Sequence, residues 1–259
     1  MTKISGVIIA YNEEQYIAKC LESLQGIVDE ILVVDSFSTD ETLQICEKHG
    51  ARVIQRAFIG FTDQKNYATE QAKFDYVLSL DADEALSEEL KASILELKPT
   101  MDGEGYAFNR LNHYCGKWIH HSSWYPGTKI RLYNKHKARW YSPTNIHETI
   151  TLDNPKSVVK LKGDLLHWAY DSFSKHHLKI DTYTTLSAVN YVKNKSKKVP
   201  YTKIIINPFW KFFKNYFINR GFLDGFQGFV VCCMSGYTTF LKYIKIIELQ
   251  QNEKHHLNR

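Results

Sequence analysis

The sequence predicts an α/β fold: a mostly parallel sheet with helices on both faces, followed by a C-terminal helical extension. Three observations predict it. Apolar strand-like runs alternate with helical stretches over residues 4–98, the connections are long enough for parallel crossovers, and the chain becomes basic and aromatic towards its C-terminus. We therefore expect an α/β domain at residues 1–165, with halves at 1–99 and 100–165, and an extension at 166–259.

Four strands and three helices are predicted before residue 84. Each strand is a short run rich in apolar or β-branched residues, and the runs cover 4–10, 30–35, 52–56 and 76–80. Helical spacing of apolar residues follows each of the first three strands. Asn12, with two acidic residues after it, is typical of a helix N-terminus. A further helix is expected from Ser87 to Lys98.

Residues 100–165 are predicted to form a mixed or antiparallel extension of this domain. The strand-like runs are 105–110, 129–133 and 157–161. From residue 164 the chain is expected to be helical, with one helix at 172–193. Another helix is expected to have Asn207 as its cap and Pro208 at its first position.

Polar residues follow three of the predicted strands. Asn12, Asp35 and Asp81 each stand at a strand's C-terminal end, where parallel sheets form their ligand crevice. Asp81 and Asp83 are two residues apart, and paired carboxylates suit Mg²⁺ or Mn²⁺. The alternative is that residues 81–84 are only a polar entry to the helix that begins at Ser87.

The composition and the missing motifs argue against several classes. With 44% hydrophobic and 24% charged residues, the chain is typical of globular proteins. Five cysteines without a Cys-x-x-Cys spacing disfavour a disulfide framework or a zinc site and favour a reducing compartment. No glycine-rich dinucleotide or Walker motif follows a strand. No basic and apolar leader precedes the first strand, so we expect no secretory signal and a cytoplasmic location.

The charge is distributed unevenly along the chain. Residues 1–155 contain 16 basic and 22 acidic residues, whereas residues 156–259 contain 17 basic and 6 acidic residues. A basic segment suits polyanions such as a membrane surface. Aromatic residues line one helical face over 209–217, with lysines between them. We therefore expect an interfacial helix pair on the inner face of the cytoplasmic membrane.

Three other interpretations of this segment are packing within the protein, a membrane span and nucleic-acid binding. The aromatic side chains are alternatively explained by packing on the sheet or on a second subunit. The uncharged run 225–241 has 17 residues, fewer than the roughly 20 that span a bilayer. Nucleic-acid binding is disfavoured because the aromatic residues fall on one helical face and not on an open sheet.

Four motifs in a fixed order resemble glycosyltransferase family 2, which has a Rossmann-like GT-A fold. They are residues 10–13 (AYNE), residues 34–42 (VDSFSTDET), Lys65-Asn66 and residues 81–83 (DAD), and the match covers about residues 5–148. The His147-Glu148 element and the basic tail are similar, more narrowly, to bacterial lipopolysaccharide core transferases.

The resemblance implies a role for each matching residue. Residues 1–99 would bind the nucleotide and residues 100–165 the acceptor. The residues that would bind the nucleotide-sugar are Ala10, Tyr11, Asn12, Glu13, Asp35, Lys65 and Asp81. Asp83, with Asp81, would bind a divalent Mg²⁺ or Mn²⁺ ion that bridges the donor diphosphate. His167 is a further candidate ligand, although a packed or hydrogen-bonded histidine is the alternative. For Lys65 the alternative is a solvated charge on a helix face.

The implied reaction is an inverting displacement, which needs a base for the acceptor hydroxyl. The Glu-Asp pair of many relatives is absent, and Glu148 is our candidate base, with Asp153 and Asp164 as substitutes; a buried salt bridge is the alternative for Glu148. We expect transfer of one sugar from a nucleotide-sugar, a UDP-sugar first, to a lipid-linked or lipopolysaccharide core acceptor. The alternatives are a membrane-surface binding protein with a degenerate nucleotide pocket, or another nucleotide-sugar transferase of cell-surface polysaccharide assembly.

Overall fold

The computed structural model describes residues 2–142, 148–194 and 198–257. Strands and helices alternate through its first part as predicted: β1 (Ile4–Ala10), α1 (Ile17–Leu24), β2 (Glu30–Asp35), α2 (Thr42–Lys48), β3 (Arg52–Gln55), α3 (Phe61–Gln71) and β4 (Tyr76–Asp81). The strands are parallel and lie in the order β3-β2-β1-β4. This order places β1 at the centre, where both of its faces are buried.

Successive residues of β1 explain why both faces of the sheet carry helices. Ile8 packs with Ile17 and Leu21 of α1 in one core cluster. Val7 points to the opposite face and packs with Ala68 of α3 in a second cluster. Because side chains alternate along a strand, a continuous apolar run needs cover on both sides. Helices on both faces follow from that need.

The remaining strands extend the same sheet. They are β5 (Glu84–Leu86), β6 (Gly105–Tyr114), β7 (Lys117–Ile119), β8 (Lys129–Asn134) and β11 (Val158–Tyr170), with α4 (Glu88–Leu97) between β5 and β6. The order continues from β4 through β8, β6 and β11 to β5, and β7 pairs with β6. β8 is antiparallel to both β4 and β6, which confirms the antiparallel extension and the α/β fold class. A separate antiparallel pair is formed by β9 (Ala138–Tyr141) and β10 (Thr149–Leu152).

Two local predictions were wrong. The chain does not become helical at residue 164, because β11 continues to Tyr170 and pairs with β5 through Leu165–Leu86 and His167–Glu84. Asn207 does not cap a helix. The helix α6 (Thr202–Phe213) already contains it, and its side-chain amide donates to the Tyr243 hydroxyl at 2.8 Å.

The chain divides into two compact units. The first comprises residues 1–111 and 127–168, and the second comprises residues 112–126 and 169–259, so that a short hairpin joins the C-terminal helices. The predicted boundary at 165 did not include this hairpin.

The second unit is built on three helices: α5 (Phe173–Lys193), α6 and α7 (Gly225–Leu257). α7 contacts both of the others. Gly236 of α7 lies against Pro208 of α6, where an added Cβ would be 3.1 Å from the proline carbonyl oxygen. At the far end, Lys245 forms an ion pair with Asp181 of α5 at 2.7 Å.

The segment Gly221–Asn252 is long and apolar enough to cross a membrane by length and composition. Its most apolar 18-residue window has a mean hydropathy of 1.2, and 22% of that window is buried. The sequence predicts that the uncharged run within this segment, residues 225–241, is too short to span a bilayer.

Candidate functional site

The predicted residues meet at one edge of the first unit. Ala10 at the end of β1 pairs with Asp35 on β2, and Ile9 pairs with Asp81 on β4. Neighbouring strands are roughly 4.8 Å apart, so the two aspartates stand about 10 Å apart on either side of β1. Parallel pairing brings them together, because it places all three C-terminal ends at one edge.

The loops after β1 and β2 are joined by hydrogen bonds. The backbone N–H of Asn12 donates to the Ser38 hydroxyl at 2.9 Å, and the Asn12 side-chain oxygen accepts from the Thr39 N–H at 2.8 Å. Asn12 has a φ of 53°, in the left-handed region that asparagine tolerates. The predicted helix cap at Asn12 was therefore wrong, because α1 begins only at Ile17 and the asparagine joins two loops instead.

The remaining residues of the first loop differ in exposure. Ala10 is buried, whereas Tyr11 is 58% exposed. Glu13 is partly buried, and its backbone N–H donates to the Thr42 hydroxyl at 2.8 Å. The loop therefore presents an exposed aromatic ring beside a rigid backbone.

Asp35 is fully buried and its carboxylate is turned into the β2–α2 turn. It accepts from the Ser38 N–H at 2.9 Å, from the Ser38 hydroxyl, and from the Gln55 amide at 3.3 Å. A buried carboxylate with three donors is satisfied within the protein. Asp35 therefore holds the loop that carries Ser38 and, through it, Asn12.

Asp81 forms two ion pairs. Its Oδ1 lies 2.8 Å from Lys65 Nζ, and its Oδ2 lies 2.8 Å from an Arg131 guanidinium nitrogen. Burial acts to raise the pKa of Asp81, but the charges of Lys65 and Arg131 outweigh it and hold that pKa well below its usual range. Lys65 is 3% exposed, so the alternative of a solvated helix-face charge does not apply to it.

Arg131 and Glu84 complete this network, and the sequence analysis assigned no role to Arg131. Its guanidinium nitrogen also lies 2.8 Å from Glu84 Oε1, and Glu84 is completely buried. The other Glu84 oxygen accepts from the Asp81 N–H at 3.1 Å. The Trp140 ring lies beside both cations, 4.6 Å from Lys65 Nζ and 5.4 Å from the Arg131 guanidinium carbon. The available signal was an arginine between Ile130 and Leu132 in an otherwise apolar strand.

Asp83 and His167 face each other. Asp83 Oδ2 lies 3.4 Å from His167 Nε2, and the side chains are 26% and 13% exposed. Within the described ranges, no group of three or more His, Cys, Asp or Glu side chains is placed to hold a metal ion. Two donors at right angles on an octahedral Mg²⁺ ion are about 3 Å apart, so a carboxylate and an imidazole at this separation fit two positions on one ion.

Glu148 is described, whereas His147 lies outside the described residues. Glu148 is partly buried and directly precedes β10, where Thr149 pairs with Tyr141 at the end of β9. β9 is joined to the site through Asn66, whose amide group bonds to both the N–H and the carbonyl of Trp140 at 3.0 Å. Glu148 is thus attached to the hairpin that carries Trp140.

Comparison with protein families gives one match over most of this unit. The model of "Glycosyl transferase family 2" matches residues 5–151. An uncharacterized glycosyltransferase of Rickettsia felis is 32% identical, over 96% of this chain and 90% of that protein. The lipopolysaccharide core biosynthesis glycosyltransferase LpsC of Rhizobium meliloti is 29% identical, over 95% of this chain and 92% of that protein.

Solved structures of similar fold include TarS 1-349 from S. aureus in complex with UDP, at 16% identity and a TM-score of 0.48, covering 97% of this chain and 92% of that one. Glucosyl-3-phosphoglycerate synthase from Mycobacterium tuberculosis, in complex with Mn²⁺, UDP and glucosyl-3-phosphoglycerate, has 17% identity and a TM-score of 0.48, covering 76% and 81%. The predicted family is confirmed by the match over more than half of the chain: this protein is a glycosyltransferase and belongs to glycosyltransferase family 2.

Proposed function

We propose that the protein transfers one sugar, with inversion, from a UDP-sugar to a lipid-linked or lipopolysaccharide core acceptor at a membrane surface. The observation that carries the proposal is the convergence of Asp35, Asp81 and the Asn12 loop at one edge of the sheet. LpsC, which aligns over nearly its whole length, supports the acceptor class by its name.

In the proposed donor site, the loop at Ala10–Glu13 binds the base and ribose. Tyr11, which is exposed, supplies an aromatic face for the base. Asp35 acts mainly by fixing the turn, because its own oxygens are occupied by Ser38 and Gln55. Lys65 holds the Asp81 carboxylate in place.

We assign the divalent ion to Asp83 and His167, with Asp81 beside it. When bound, Mg²⁺ or Mn²⁺ would offset the negative charge of the leaving nucleoside diphosphate. Asp83 would contribute the hard oxygen that such ions prefer, and the His167 ring nitrogen, 3.4 Å from it, would be the second ligand. Both Asp81 oxygens are held by cations, so Asp81 acts through its charge and its contact with Lys65.

Glu148 is the proposed base. Its carboxylate directly precedes β10. It would accept the proton of the acceptor hydroxyl while the hydroxyl oxygen attacks the anomeric carbon from the side opposite the leaving group. Asp153 and Asp164 are the substitutes if Glu148 proves dispensable.

The test of this proposal is UDP binding and sugar-donor turnover with and without Mn²⁺. Asp83→Asn is expected to strongly reduce metal-stimulated UDP release, because it replaces a charged carboxylate ligand with a neutral amide. Asp102→Asn is the matched control, since it neutralises an exposed aspartate elsewhere in the first unit. Metal-independent activity that Asp83→Asn leaves unchanged would contradict the metal assignment. No UDP binding at millimolar concentration would favour the alternative, a surface-binding protein with a degenerate nucleotide pocket.

The membrane part of the proposal rests on one surface of the second unit, which we call the apolar helix surface. Its members are large apolar side chains that are each more than a third exposed: Ile205, Ile206, Phe209, Trp210, Phe213, Phe217, Ile218, Phe222, Leu223, Phe226 and Phe229. Ring contacts join neighbours across it, with 5.8 Å between the Trp210 and Phe213 centroids and 5.0 Å between Phe213 and Phe217. Soluble monomers rarely expose an apolar surface of this extent.

Lipid is the occupant we assign to this surface, because Lys211 and Lys214, which lie between its members in the sequence and are exposed, would contact anionic headgroups. Phe209→Ser with Trp210→Ser, in the full chain, is expected to weaken binding to anionic vesicles by about 100-fold, since each buried aromatic side chain contributes roughly 1.5 kcal/mol. Phe58→Ser with Ile59→Ser is the control, because these side chains are 48% and 73% exposed in the first unit. Equal vesicle binding by both double variants would refute the assignment.

A further inference from the structure

A second group of cations lies beside the Asp81 network, and the proposed donor chemistry does not use it. Arg110 is on β6 and Lys129 begins the adjacent strand β8. The strands pair through Phe108–Lys129, and the Arg110 N–H donates to the Gly127 carbonyl at 3.1 Å. Both cations are therefore fixed at neighbouring positions of the same sheet.

Neither cation is fully satisfied by the protein. The nearest Arg110 nitrogen lies 3.7 Å from Glu84 Oε1, and that oxygen already has Arg131 at 2.8 Å. The Nε of Arg110 is buried and has no hydrogen-bond partner in the described part of the chain. The Lys129 side chain is exposed and forms no ion pair within the described residues, and partial burial of its ammonium, followed by the charges of Arg110 and Arg131, lowers its pKa. A buried donor without an acceptor costs stability, and a bound group that accepts from the Arg110 Nε would offset that cost.

The balance of charge around these side chains also favours a bound anion. Four cations interact at this end of the sheet with three carboxylates: Lys65, Arg110, Lys129 and Arg131 against Asp81, Asp83 and Glu84. A divalent ion would be offset by the two negative charges of the donor diphosphate. One positive charge is then left without a counter-charge at this end of the sheet.

We infer that Arg110 and Lys129 form an anion site that binds a phosphate or carboxylate group on the acceptor. The inference rests on the proposed function, because it assigns a substrate group to the same reaction. A guanidinium presents a planar set of N–H donors that suits both anions, and a lysine beside it adds a mobile charge. The Nε that lacks a partner is the donor we assign to the anion. The acceptor is thus an anionic sugar or a phosphorylated glycolipid.

Inorganic phosphate, added to protein that is saturated with UDP and Mg²⁺, tests this site. Phosphate binding is followed by the ³¹P line width of the free anion. Wild-type protein is expected to bind phosphate while UDP remains bound. Arg110→Gln with Lys129→Gln is expected to weaken phosphate binding at least tenfold and to change the Kd for UDP less than twofold. Arg110→Lys with Lys129→Arg, which keeps both charges, should retain most of the phosphate affinity.

The matched control is Lys160→Gln with Lys162→Gln, which removes two exposed charges from β11. It should leave phosphate binding unchanged. Phosphate binding that UDP abolishes, or a glutamine double variant that loses UDP as well, would place the anion site on the donor and overturn the inference. No phosphate binding to UDP-saturated protein would also overturn it, while leaving the donor proposal intact. If the wild-type protein does not bind UDP at all, the proposed function itself is refuted.

Discussion

Replacing Arg131 with methionine tests how the centre of the site is held together. Arg131 is 4% exposed and bonds to both Asp81 and Glu84 at 2.8 Å. After its removal, Asp81 keeps Lys65, whereas the fully buried Glu84 keeps, among the residues that the structure describes, the Asp81 N–H and a cation at 3.7 Å. Removing one partner of a buried ion pair costs about 3–5 kcal/mol, because the other charge stays buried.

The measurement is the thermal midpoint by circular dichroism. A loss of 3–5 kcal/mol corresponds to a decrease of about 10 °C or more for a unit of this size. Lys91→Met is the control, because its ion-pair partner Glu88 is 89% exposed and the pair should contribute less than about 1 kcal/mol. Adding Glu84→Gln to the Arg131 variant should recover part of the loss, since the unpaired charge is then gone. A midpoint shift no larger than that of Lys91→Met would refute this account of the network.

Two further predictions concern the scaffold. Gly163→Ala is expected to lower the free energy of unfolding in urea by about 3 kcal/mol, because residue 163 has a φ of +89° and an added Cβ would lie 2.3 Å from the Leu90 backbone nitrogen. The control is Gly50→Ala, which should cost only about 1 kcal/mol, because Gly50 has a φ of +72° but open space around it. Equal losses in the two variants would contradict the steric argument. Burial, and then the charges of Lys179 and His177, lowers the pKa of His176 to about 4 from its ordinary 6.5. Below pH 6.5 this histidine therefore binds a proton in the unfolded state, whereas in the folded state it binds one only near pH 4. The free energy of unfolding should therefore fall by roughly 3 kcal/mol as the pH falls from 6.5 to 4. His176→Gln should remove that component of the pH dependence, and an unchanged pH profile would show that His176 does not cause it.

The sequence predicted the parts of this fold that depend on local pattern. Alternating strands and helices follow from periodicity, and the convergence of Asp35 and Asp81 follows from parallel pairing. What it missed depends on contacts between distant segments. No contact was predicted for Glu84, but β5 pairs with β11, and the carboxylate buried there is paired with Arg131 from a third strand. The position of Asn12 was likewise fixed by the neighbouring loop and not by the helix that follows it.

The ion pairs indicate different roles for Asp81 and Asp83, which the Asp-x-Asp pattern alone does not distinguish. Both oxygens of Asp81 are held by buried cations, so binding a metal ion through them would cost at least one of those ion pairs. Asp83 has no such restraint, since its side chain is partly exposed and its neighbour is a histidine. Loss of Asp81 would therefore disturb the cations around it, whereas loss of Asp83 would remove only a donor for the metal ion. We therefore propose that the first aspartate organises the charge of the site and that the second binds the ion.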